Sequence, residues 1–177
     1  MAEPLHGNDF EQRLRLRVDF LEKQAQRQLF VLDLLATLGE LQHSASVRKD
    51  PAGIFSVARE HLKRLNNFDV LAFFMVDEAN SEFVLTEFEP ESEKIRIQKE
   101  IAAQVENGTF AWALNQNRPV VVKSSQYEKT LILHVLATGA RTRGMFAGVV
   151  SSGEHGMTET GVYPLSFVLQ NTANSLE

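Results

Sequence analysis

His134 lies inside the apolar run 131–138, and Arg141 and Arg143 follow it within a few residues. On an extended strand the His134 ring shares a face with Ile132 and Leu136. An imidazole so placed serves as a donor to a pocket ligand, as a haem or metal ligand, or as a core histidine satisfied by one backbone bond. Arg141 and Arg143 flank a hairpin turn. Guanidinium forks there suit a phosphate or carboxylate, or else simply stay solvated. Phe110 and Trp112, the only tryptophan, offer apolar walls and a lid over a planar ligand, or core packing. These four, Phe110, Trp112, His134 and Arg141, are the candidate binding residues.

Other chemistry finds no support. His6, His43, His61 and His155 form no ligand spacing, so no metal site is expected. Gly139, Gly144 and Gly148 match no dinucleotide fingerprint, and no phosphate-binding glycine loop exists. Gly144 and Gly148 suit turn geometry and close packing in a strand. Ser124 and Ser125 are near His134 in sequence, but nothing orients a triad. The chain has no cysteine, which removes disulfides, thiolate metal sites, iron–sulfur clusters and thiol catalysis. No catalytic residues are assigned, the expectation is a non-enzyme, and no cofactor is identifiable.

The 177 residues carry a net charge of −5 with 44% hydrophobic and 23% charged side chains. That composition is globular, and the length fits one domain with an appended helix. No polybasic cluster points to nucleic acid. No signal peptide or membrane-spanning run is present, so a cytoplasmic location and no membrane insertion by this segment are expected.

The elements that must position the candidates read as follows. Residues 8–43 form one long helix. Leu14, Val18, Leu21, Ala25, Gln28, Leu32 and Leu35 step by four and three, the seam of a coiled coil. Leu34, Leu38 and Leu41 make a second stripe facing the domain. The alternative is a helix that only folds back on its own globule. After a polar break at 44–49, Asp50 caps a helix that Pro51 begins, with Ile54, Ala58, Leu62 and Leu65 on its apolar face. Residues 68–76 form a central strand buried on both faces, and 82–88 a strand at or near an edge. Val70, Ala72, Phe74 and Val76 face one side of the first strand, and Leu71, Phe73 and Met75 the other. Ser92 opens a helix bearing Ile97, Ile101 and Val105. Asn107-Gly108 stops it. Thr109 caps a short helix over 110–115, and a strand spans 120–123. Residues 131–138 and 143–151 make a hairpin, 152–156 a loop, and Pro164 starts the last helix. Hairpin connections imply a mainly antiparallel sheet.

This order resembles a GAF domain over roughly residues 48–175. The carriers are Asp50-Pro51-Ala52-Gly53-Ile54-Phe55, Phe68-Asp69-Val70-Leu71-Ala72-Phe73-Phe74-Met75-Val76-Asp77-Glu78, Gly108-Thr109-Phe110-Ala111-Trp112-Ala113-Leu114, Asn117-Arg118-Pro119-Val120-Val121-Val122, and Gly144-Met145-Phe146-Ala147-Gly148-Val149-Val150. The resemblance implies an α+β fold, GAF/PAS-like, with a central, mainly antiparallel sheet of five to six strands flanked by helices, and a long N-terminal signalling helix. It implies two parts, a coiled-coil helix at 1–47 and a sensory domain at 48–177. Family members that attach a bilin, or reduce methionine sulfoxide, through cysteines are excluded. Phe73 with Asp77-Glu78 matches half of a cyclic-nucleotide pattern, but on the wrong strand.

The function expected is sensory: a bacterial signalling domain binding a small molecule between the sheet and residues 109–138. It would work as a homodimer through its terminal helices and pass the signal to an output domain elsewhere in a parent protein. The alternative is a ligand-free dimerisation and interaction module. Leu176-Glu177 reads as a cloning scar, which would suit an excised segment.

Overall fold

The computed structural model describes residues 11–22, 24–25, 29, 50–151 and 159–177, with side chains in the last segment from 164 onward. The chain divides into two units, Met1–Gly39 and Glu40–Glu177. In the first, every described residue is helical and exposed, Leu14, Val18 and Leu21 included. Gln28, Leu32, Leu35, the stripe Leu34, Leu38 and Leu41, the break at 44–49, the boundary at 47/48 and the loop at 152–156 lie outside the described residues.

The second unit begins with helix α1 (Pro51–Leu65). Its start follows from chemistry: the Asp50 carboxylate accepts the Gly53 N–H at 3.1 Å, and Pro51 occupies the first turn, where no N–H is needed. Strands β1 (Phe68–Val76) and β2 (Phe83–Glu89) follow. A 3-10 turn at Glu91–Glu93 leads into α2 (Lys94–Glu106), so Ser92 precedes the α-helix rather than capping it. Gly108, at φ 80°, reverses the chain into the short helix α3 (Thr109–Leu114). A glycine takes that left-handed position without strain. Thr109 is therefore already helical instead of being its cap, and its N–H is taken by the Asn107 side chain at 2.9 Å.

Strands β3 (Val120–Lys123), β4 (Thr130–Ala137) and β5 (Thr142–Val150) complete the sheet, and α4 (Glu159–Ser175) ends the fold. Pro164 sits inside α4 and does not begin it. A proline leaves one helical bond unmade but does not by itself mark a start. The sheet has five strands in the order β2-β1-β5-β4-β3, and every pairing is antiparallel. β2 and β3 are the edges. The crossover through α2 and α3 carries the chain from one edge to the other.

The alternation of β1 splits the core in two. Leu71 and Phe73 join Phe55, Ala58 and Leu62 of α1 and Leu165, Val168 and Leu169 of α4. Val70, Ala72 and Phe74 join Ile97 and Ile101 of α2 and Phe110 and Ala113 of α3. The sheet is thus a middle layer, with α1 and α4 on one face and α2 and α3 on the other. Gly144 is required by close approach: a Cβ there would collide with the Phe74 carbonyl oxygen.

Candidate ligand-binding site

On the face covered by α2 and α3, a groove of about 670 Å³ runs between α2 and the β1–β2 hairpin. Its floor and walls are Phe74, Phe83, Leu85, Ile101, Ala102, Val105 and Phe110, with Glu82, Gln98 and Glu106 as the polar members. The Phe83 and Phe110 rings meet edge to face with centroids 4.8 Å apart, which fixes one wall. The groove forms because β2 is an edge strand. Among the described residues no strand pairs with its outer side, and the cleft is left between it and α2. An apolar cleft of this size with a few polar groups has the character of a small-molecule site.

The structure does not gather the four sequence candidates. Phe110 is buried and lines the groove. Trp112 is 51% exposed and lies outside it. Two residues along a helix turn about 200°, so Phe110 and Trp112 cannot share a wall. His134 is buried on the opposite face, beneath α4. Its Nδ1 lies 2.6 Å from the Val135 carbonyl oxygen and its Nε2 lies 2.9 Å from Ser166 Oγ. A carbonyl only accepts, so Nδ1 carries the ring proton and Nε2 receives the Ser166 hydroxyl. Burial holds the His134 pKa below its ordinary value, against a smaller opposing effect of the Val135 bond. Arg141 is at the β4–β5 turn, paired with Glu78 at 2.7 Å. The groove lies on the α2–β2 side, and of the four candidates only Phe110 lines it.

Sequence reasoning missed a second polar constellation. Glu100 is fully buried. Its carboxylate accepts Gln104 Nε2 at 2.7 Å, Ser124 Oγ at 2.7 Å, and the Gln126 and Ser125 N–H groups at 2.7 and 3.2 Å. Burial alone would raise its pKa, but these donors together outweigh it and hold the group below the usual carboxylate value. Nearby, burial and then the charge of Glu93 push the Tyr127 phenol up, while Arg96 stacks on its ring at 4.2 Å. A signal was available. Glu100 falls on the same helical stripe as Ile97, Ile101 and Gln104, all buried. Among the described residues no group of three or more potential ligands is placed to hold a metal ion, and no helix is long and apolar enough to cross a membrane.

No protein-family model matches the chain, and no curated protein matches it. Among solved structures, the chain is similar to the GAF domain of an Acinetobacter phosphoenolpyruvate-protein phosphotransferase. The TM-score is 0.56 at 10% identity, over 80% of this chain and 91% of that one. It is also similar to CepR2 of Burkholderia cenocepacia, an N-acylhomoserine lactone-dependent transcription factor of the LuxR family. There the TM-score is 0.59 at 12% identity, over 81% of this chain and 95% of that one. The fold is GAF-like, as the sequence resemblance implied.

Proposed function

We propose that this chain is a regulatory sensor whose GAF-like unit binds a small, largely apolar molecule in the α2–β2 groove. The signal passes through the terminal helices of a homodimer to an output domain in a parent protein. One observation carries the reading: the two faces of the sheet are covered by different pairs of helices. The groove opens on the α2–α3 face, while α1 and α4 both pack on the other face. A ligand on one side can thus bias the sheet, and through it the packing of α1 and α4, without competing with those helices for the same face. The Burkholderia factor's dependence on a small acylated lactone supports the use of this fold for such ligands.

A screen of metabolites against the full chain by thermal shift and amide NMR tests it. Hits are expected to perturb Phe83, Ala102 and Phe110, and Ala102→Trp, which fills the groove from its exposed wall, is expected to abolish them. Hits that ignore Ala102→Trp overturn the site. The second reading, a ligand-free dimerising module, draws on the exposed Leu14, Val18 and Leu21. It is favoured if no compound binds while the chain still dimerises.

A further inference from the structure

The charged residues that line the groove all have one sign. Glu82 and Glu106 line it, and no lysine, arginine or histidine does. Glu82 accepts the Asn80 amide at 3.0 Å, and neither carboxylate forms an ion pair among the described residues. Lys94, on the same helix stripe as Gln98, is not a lining residue; its ammonium stands over the Phe88 ring at 5.2 Å. The floor and walls add Phe74, Phe83 and Phe110, whose faces carry the negative part of the ring quadrupole. An apolar cleft with aromatic walls and a purely acidic rim attracts a positive end group and repels a negative one.

We infer that the groove selects an amphiphilic cation, an apolar or aryl body ending in an ammonium group, and rejects phosphates and carboxylates. This rests on the reading of the groove as a ligand site. The body lies against Phe83, Ile101 and Phe110, and the ammonium stays at the wet rim near Glu82 and Glu106. The ammonium keeps part of its hydration there, so selectivity is modest and salt-sensitive. Anionic ligands such as nucleotides meet no compensating cation in the groove, and their desolvation there is uncompensated.

Three probes of one shape test the inference on the full chain by calorimetry and amide NMR: 4-phenylbutylamine, 4-phenylbutanol and 4-phenylbutyrate. The amine is expected to bind about five- to tenfold more tightly than the alcohol, and the butyrate most weakly. Raising the salt concentration should narrow the gap, and the double variant Glu82→Gln with Glu106→Gln should bind amine and alcohol alike while melting as the native chain does. Equal binding of all three probes at the groove, or tightest binding of the butyrate, overturns the charge selection and leaves the groove reading standing. Absence of perturbation at Phe83, Ala102 and Phe110 with every probe overturns both.

Discussion

Ser124 donates its hydroxyl to the Glu100 carboxylate at 2.7 Å, tying the loop after β3 to the middle of α2. The same carboxylate receives the Gln126 N–H at 2.7 Å, and Ser124 Oγ in turn accepts the Tyr127 N–H at 2.9 Å. A buried negative charge is tolerated here because donors replace its water. The tie sets the position of α2, and α2 is one wall of the groove. Backbone and side-chain donors stabilise the charged form of Glu100.

Glu100→Gln places an amide where every partner donates. It is expected to cost about 2–3 kcal/mol, read as a lowered urea midpoint with an unchanged slope. The pH sign follows from the lowered pKa. The unfolded chain binds the proton more readily, so the contribution of Glu100 is present above the ordinary value of 4.5 and is lost as pH falls below it. The variant should lack that acid-dependent loss. A variant as stable as the native chain would show that the tie does not hold α2.

His134 links β4 to α4 through Ser166. His134→Ala leaves a cavity and an orphaned hydroxyl, with an expected loss of about 2–4 kcal/mol. Binding in the groove, on the other face, should persist wherever the variant remains folded. Because burial lowers the His134 pKa, stability from the neutral ring is full above the ordinary value of 6.5 and declines as pH falls below it. Denaturation curves between pH 5 and 8, with His134→Ala as reference, check the sign. Greater native stability at the acid end would refute it.

The framework was legible because its signals are local. Asp50-Pro51 states a helix start, Asn107-Gly108 a stop, and the alternation from Val70 to Met75 assigns each side chain to a face. The candidate site was less so. Phe110 and His134 belong to separate elements, and whether they meet depends on which helices cover which face. That is decided by the whole crossover, from Lys94 to Leu114. The groove residues Phe83, Leu85 and Ala102 carry no chemical mark in the sequence. Ala102 matters only because it is small and exposed beside an edge strand. Pro164 misled because a proline that suits a helix start also sits inside α4.

Gly144 faces the Phe74 carbonyl so closely that no side chain fits. Gly144→Ala must push β5 away from β1, and backbone cannot yield as a flexible side chain would. The expected loss is about 3 kcal/mol or more. Phe74→Ala, at a site only 3% exposed, should cost about 3–5 kcal/mol. Phe74 also floors the groove, so that variant should lose ligand as well as stability. A loss under about 1 kcal/mol at either position would mean that the two strands are not tightly paired.

Leu14, Val18 and Leu21 are 47%, 51% and 54% exposed on one stripe of the N-terminal helix. Apolar residues at steps of four and three are the seam that a second helix covers, and a second copy of the same helix presents the matching seam. Sedimentation of the full chain should therefore give a dimer of modest affinity, since the heptad spacing of the sequence assigns a polar residue, Gln28, to the seam. Leu14→Lys with Val18→Lys puts like charges across the seam and should shift the protein toward monomer. Residues 50–177 should melt as before, because neither side chain belongs to either core cluster. A native chain that sediments as a monomer, with the same mass as the variant, would remove the coiled-coil argument and with it the proposed route from groove to output.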